Sequence, residues 1–271
     1  MDNIKRITSG VIIGIALAII LLIPNNIITG IIFAVIAATA MHEYLNAISK
    51  VCKPVKWLAY LSCIIVAIPS FVNTKELEQY LIFAIPIILV LLFAKVIATD
   101  MKTSIKDISY TLLGICYIPT FLMFMTMTEK LQNGKFLLGY IFIAAWGTDI
   151  FAYSVGRRIG KHKFSNVSPK KSIEGCVGGT LGAILLAIIL TLILNNNFGF
   201  EYSYVTVILS TLVLSLLGQL GDFSASSIKR YVDIKDYGKL LPGHGGMLDR
   251  IDSVIFIAPF AYLLFTKILV I

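Results

Sequence analysis

The chain is predicted to be all-α and polytopic, an integral membrane protein with about nine transmembrane helices and its amino end in the cytoplasm. Three observations carry this. Of 271 residues, 58% are hydrophobic and only 14% charged, and the mean hydropathy is +0.88, a composition that soluble domains of this length do not have. The apolar residues fall in unbroken runs rather than in two-residue alternation, which selects helices over barrel strands. Basic residues are also unequally divided. With the amino end inside, eighteen of the 23 Lys and Arg fall in inner segments, and only Lys75, Lys130 and Lys135 fall outside.

The apolar runs are roughly 7–24, 27–47, 57–72, 79–98, 108–127, 136–156, 176–194, 203–222 and 251–271, each to within about 2–4 residues. The first follows Lys5 and Arg6 and ends at Pro24-Asn25-Asn26. Its Ala16-Leu17-Ala18 step lies inside the run, so it reads as a retained helix rather than a cleaved signal. The second carries His42 and Glu43 near its inner end. Ionisable side chains at membrane depth are often functional, but Glu43 is near enough to the interface to reach water or pair with Lys50. The third run is short, and Asn73-Thr74 and Asn133-Gly134 mark turns outside the third and fifth. Residues 1–135 therefore read as a helical scaffold, and residues 136–271 as the helices whose cytoplasmic loops carry the chemistry.

A net charge of +8 raises the question of nucleic acid, but the charge follows topology and no groove-reading motif accompanies it. A basic inner face suits lipid headgroups and nucleotides instead. Cys52, Cys63, Cys116 and Cys176 have neither paired nor metal-type spacing and read as small core hydrophobes.

The sixth run departs from plain membrane sequence. Asp149 sits in mid-run, with Tyr153 at i+4 and Arg157 at i+8 on roughly one face. Such an Asp can be functional or can hydrogen-bond between packed helices. The next loop holds Ser168-Pro169-Lys170-Lys171-Ser172 and Glu174-Gly175, a plausible phosphate clamp that topology alone would also produce. Gly178, Gly179 and Gly182 beyond it read as close helix packing.

Ser226 to Asp252 is the most informative stretch. Five basic residues, four acids, a histidine and a group of glycines lie between two apolar runs. If the eighth helix continues past the interface, Asp222, Ser226 and Lys229 form one stripe of carboxylate, hydroxyl and ammonium. That is half a site for Mg²⁺, which takes one or two protein carboxylates and completes its shell with water and phosphate oxygens. Asp249 and Asp252, in the first turn of the ninth helix, can supply the other half, although Asp252 there could simply cap the helix. Between them, Pro242-Gly243-His244-Gly245-Gly246 permits tight turns and close backbone approach to a phosphate. His244 either contacts that phosphate or holds the turn.

Ser226, Lys229-Arg230, Lys235-Asp236, Gly238, Pro242, His244-Gly245-Gly246, Asp249-Arg250 and Asp252, at these spacings, resemble the pattern of the phosphatidate cytidylyltransferases, or CDP-diacylglycerol synthases. Asp149, Ala152-Tyr153, Gly156-Arg157, Gly160-Lys161, Ser168-Pro169-Lys170-Lys171 and Glu174-Gly175 resemble that family's upstream block. The two blocks cover about a fifth of the chain, and Phe223 stands where leucine is expected. The resemblance implies an integral enzyme of the cell's inner membrane, homodimeric, with its active site facing the cytoplasm. It would join CTP and phosphatidate into CDP-diacylglycerol and pyrophosphate with Mg²⁺.

On that basis Asp222 and Asp249 are expected to hold the metal and, with Lys229 and Arg230, to be catalytic. Asp149, Ser168, Lys170, Lys171, Ser226, Lys235, Asp236, His244, Arg250 and Asp252 are expected to bind substrate. Phosphatidate brings its own nucleophilic oxygen, so alignment and charge neutralisation suffice. The rival enzyme is a CTP-dependent kinase of polyprenol type. A CDP-alcohol phosphotransferase lacks support because its Asp-Gly opening is absent. An ion-coupled transporter fits poorly, because the polar residues gather at one face and no inverted halves are visible.

Overall fold

A computed structural model describes residues 22–23, 25–165, 168–169, 171–240 and 245–269. Among them the chain is helical, with one isolated antiparallel bridge between Lys163 and Ser172. The expected first span, 7–24, lies almost entirely outside the described residues. Each of the other eight expected runs coincides with helix. Among the described residues, five stretches are long and apolar enough to cross a bilayer: Asn26–Ile48, Ile105–Glu129, Gly134–Ile159, Ile173–Phe198 and Tyr204–Tyr231. The apolar helices Lys56–Ser70 and Phe83–Ala98 are shorter. Large apolar side chains such as Val35, Val90, Leu181 and Leu216 stand more than half exposed, as a lipid-facing surface requires.

The chain divides into two compact units, residues 1–130 with 231–250 and residues 131–230 with 251–271. In the first, α1 (Asn26–Ile48) starts at Asn25, whose side chain accepts from the Ile27 amide at 2.9 Å. Its buried face, Phe33, Ala37, Ala40, Met41, Tyr44, Leu45 and Ile48, recurs at helical spacing. α2 (Lys56–Ser62) continues through 3₁₀ turns to Ser70, and α3 spans Thr74–Ala98. α4 (Ile105–Ile115) opens with a reciprocal capping box of Ser104 and Asp107, and Asp107 also accepts the Lys53 amide at 2.6 Å. A π turn at Cys116–Thr120 leads into α5 (Phe121–Glu129). Pro119 has no N–H to offer the Ile115 carbonyl, and the Thr120 hydroxyl donates to it instead at 2.9 Å. The helix can therefore carry a proline at membrane depth.

In the second unit, α6 (Gly134–Phe142) passes through a π turn at Ile143–Gly147 into α7 (Thr148–Ile159), followed by α8 (Ile173–Phe198) and α9 (Tyr204–Tyr231). Gly179 and Gly182 let α8 pack closely on α7: a Cβ on Gly179 would stand 2.7 Å from the Thr148 carbonyl oxygen, and one on Gly182 would run into the Phe151 ring. A buried polar chain crosses three helices. The Ser215 hydroxyl lies 2.7 Å from that of Thr148 and 3.0 Å from that of Thr180, and Gln219 Nε2 donates to Thr180 Oγ1 at 2.9 Å. α10 (Leu248–Leu264) begins in the first unit and continues from Ile251 in the second, ending in a π turn at Phe265–Leu269.

Candidate active site

α9 extends nine residues beyond the apolar run that predicts it, to Tyr231. Asp222, Ser226 and Lys229 thus lie on one continuous helix, as the stripe requires. Lys171 lies just before α8, in the turn where its amide donates to the Ser168 carbonyl at 3.0 Å. That turn is fixed on both sides. Ser172 caps α8 by accepting the Gly175 amide at 3.1 Å, and Glu174 accepts the amides of Lys161 and His162 and the His162 ring Nδ1 at 2.6 Å. Gly156 and Gly175 leave room for the Ser172 hydroxyl, which would stand 3.0 Å from a Cβ at either position. The glycines of the upstream block therefore shape the turn that carries Lys171.

The Lys171 ammonium pairs with the Asp222 carboxylate, and each side chain is about one-fifth exposed. Asp149 and Asp252 also act on it. Burial works against the ammonium, but these three carboxylates outweigh it and hold the Lys171 pKa above the ordinary lysine value. The lysine is thus a fixed positive charge at any physiological pH. Its Nζ also lies 4.9 Å from the centroid of the Phe223 ring, and Phe223 stacks on Phe164 at 4.6 Å. Asp252, 5% exposed, accepts its neighbour Ser253's amide at 2.7 Å and feels the charges of Asp222, Asp149 and Lys229. It lies a full turn inside α10, so the cap reading for Asp252 does not hold. Within this unit four elements thus bring Asp149, Lys171, Asp222 and Asp252 into one electrostatic group. Of the other expected residues here, Ser226 is buried, Lys229 half-buried and Arg230 exposed, while Lys170 lies outside the described residues. Tyr153 and Arg157 are exposed.

In the first unit, described residues between Tyr231 and Arg250 surround two carboxylates. Asp249 Oδ2 accepts the amides of Tyr237 at 2.8 Å and Gly246 at 3.0 Å. Gly245 takes φ +82°, and a Cβ there would stand 2.8 Å from the same oxygen. Glu43, which the sequence leaves to water or to Lys50, is 7% exposed and accepts the amides of Met247 at 2.9 Å and Leu248 at 2.8 Å. It serves as the cap of α10, supplied from α1, where a negative charge meets the positive end of the helix. Gly238 and Gly246 are glycines because a Cβ at either would run into the Glu43 carboxylate. Their closeness is to a protein acid. Lys235 and Asp236 are exposed, Arg250 is half-buried, and His244 lies outside the described residues.

Asp222 belongs to the second unit and Asp249 to the first. Among the described residues, no three of His, Cys, Asp and Glu group closely enough to hold a metal ion. Sequence reasoning left the role of Glu43 open and missed that of Phe223. The only signal for Glu43 is an acid in an apolar helix, and its partners are backbone amides 204 and 205 residues away.

Long apolar helices with a lysine held among aspartates define a helical membrane protein. Residues 4–268 match the cytidylyltransferase family, and the chain belongs to that family. It is 31% identical over 272 residues to the phosphatidate cytidylyltransferase of Bacillus subtilis, covering 97% of this chain and 98% of that one. The phosphatidate cytidylyltransferase of Staphylococcus haemolyticus is 31% identical over 253 residues, 90% of this chain and 93% of its own length. That of Staphylococcus saprophyticus is 29% identical over 263 residues, 95% and 97% of the two chains.

Proposed function

We propose that the chain transfers the cytidylyl group of CTP to phosphatidate, giving CDP-diacylglycerol and pyrophosphate. A phosphate oxygen of phosphatidate forms a bond to the α-phosphorus of CTP, and the bond from that phosphorus to the pyrophosphate oxygen breaks. No protein base is needed, because the nucleophile is already ionised; the protein aligns the phosphates and neutralises their charge. The observation that carries this reading is Lys171, kept cationic by Asp222, Asp149 and Asp252 in the turn before α8. An incoming phosphate can take over the ammonium from Asp222, which frees a carboxylate at the same moment. The family resemblance assigns further positive charge to Lys229, Arg230, Lys235, Arg250 and Lys170.

Mg²⁺ is the proposed cofactor, and the assignment of Asp222 and Asp249 as its protein ligands rests on the family resemblance. Their hard oxygens suit Mg²⁺, which needs only one or two carboxylates. Asp222 already balances a cation. When bound, the ion draws charge from the CTP phosphates. The skew of basic residues supports a cytoplasmic amino end and a cytoplasmic active site, the apolar runs support nine spans, and the plasma membrane rests on the family resemblance. The homodimer rests on the family resemblance.

Labelled CTP and purified protein in detergent, with phosphatidate in one arm and a polyprenol in the other, test the reading. Mg²⁺-dependent formation of CDP-diacylglycerol with release of pyrophosphate is the expected result. Formation of CDP and a newly phosphorylated lipid alcohol would replace it with the kinase reading.

A further inference from the structure

Within the second unit, α8 and α9 enclose an apolar groove of about 490 Å³, within the range of roughly 300–1,000 Å³ that ligand pockets occupy. One wall is α8 from Ile173 to Ile184, and the other is α9 from Leu212 to Phe223. On each helix the lining residues recur at four-residue steps, so each wall is a single helical face. The walls are antiparallel, as the bond from Gln219 to the Cys176 carbonyl and the contact of Ser215 with Thr180 show. Thr180 and Gln219 line the groove as well, but they hydrogen-bond one another, so the remaining lining is carbon and the Cys176 thiol.

Two further features fix what the groove suits. Its upper end is Phe164 against Phe223, and the Phe223 ring lies beneath the Lys171 ammonium. Its length, eleven residue steps at about 1.5 Å each, is about 16 Å, close to half of the ~30 Å hydrocarbon thickness. The groove therefore starts at the charged cluster and runs for a length close to the depth of one leaflet. It is open to the side, since Val177, Leu181, Leu216 and Leu220 are all more than half exposed.

We propose that this groove holds one acyl chain of the lipid substrate while Lys171 meets its phosphate. The inference rests on the proposed use of phosphatidate and adds where its chain lies. An ammonium at the head of a carbon-lined channel one leaflet deep matches an anionic headgroup on a long chain. Lipid selectivity then comes from the faces of α8 and α9, apart from the aspartates.

The test is steady-state kinetics of the full chain in mixed micelles, with dioleoyl phosphatidate compared with dihexanoyl phosphatidate. Val177→Trp and Leu216→Trp narrow the groove. Each is expected to raise KM for the dioleoyl lipid about tenfold or more, leaving KM for CTP and the dihexanoyl kinetics at parental values. Equal effects on both lipids, or none on either, overturn the proposal. Should the Trp variants elute aggregated, Val177→Ala and Leu216→Ala remove chain contacts instead and are expected to raise the dioleoyl KM by a smaller factor. A change in oligomeric state with unchanged lipid KM overturns the proposal and gives the groove to a second copy of the chain. If the parent protein turns over neither lipid, the functional reading fails, and the groove is judged by photocrosslinking. A phosphatidate carrying a diazirine on its acyl chain is expected to mark residues 173–184 and 212–223, and labelling confined to other segments overturns the proposal.

Discussion

Glu43 and Asp222 are both acids on largely apolar helices, yet their charge is balanced in opposite ways. Glu43 is buried and faces two backbone amides, those of Met247 and Leu248. Asp222 is partly exposed and faces the ammonium of Lys171. An amide at a helix start cannot leave without unfolding the turn, whereas a lysine on a four-carbon stem can exchange one anion for another. The first arrangement serves shape and the second serves exchange. Asp249, like Glu43, accepts backbone amides, those of Tyr237 and Gly246. The largest expected effect tests the exchange side. Asp222→Asn should lower turnover at least about 100-fold with the thermal midpoint nearly unchanged, measured on the same preparation. A comparable loss of stability would erase the distinction between the two acids.

Glu43→Gln breaks the other side. The amide keeps the shape, but it loses the charge and turns one N–H₂ toward an amide that needs an acceptor. Hydrogen bonds to charged groups contribute about 1.5–3 kcal/mol each, so thermal denaturation should show a loss of about that size, with activity falling as the loop loosens. Unchanged stability would mean that the α10 start finds another cap. Gly246→Ala attacks the same place from the backbone, because its Cβ runs into the Glu43 carboxylate. Overpacking of this kind costs about 1–3 kcal/mol, and the loss should shrink when Glu43→Ala is made as well. A purely additive double mutant would place the strain elsewhere.

The helices were largely legible because a bilayer leaves the backbone few alternatives, and eight of the expected runs are helical where the chain is described. Ends were less legible. Hydropathy marks where the apolar surface stops, but α9 goes on through Ser226, Lys229 and Arg230 to Tyr231, because polar residues can continue a helix into water. The π turn at Cys116–Thr120 had a signal in Pro119, and the π turn at Ile143–Gly147 had none beyond a glycine. In the site, the convergence of Asp149, Lys171, Asp222 and Asp252 follows residue types that the sequence singles out, since charge in an apolar chain is conspicuous. The capping role of Glu43 was not legible, because a backbone amide leaves no mark on the side-chain alphabet. Gly246 beside it reads as room for a phosphate for the same reason: a sequence shows that space is needed and not what fills it.

Phe223, where leucine is expected, gives the smallest and sharpest test of exchange at Lys171. Its ring stacks on Phe164 with an interplanar angle of 16° and underlies the ammonium at 4.9 Å. A cation over an exposed ring gains about 0.5–1 kcal/mol, well below what an ionised partner gives in a half-buried pair. If Asp222 rather than the ring holds the lysine, Phe223→Leu should change KM for CTP or phosphatidate by only about two- to fivefold, the equivalent of that energy. Turnover should stay within the same range. A loss matching that of Asp222→Asn would mean that the ring orients the ammonium for the incoming phosphate, and the carboxylate would then be its counter-ion without being its guide.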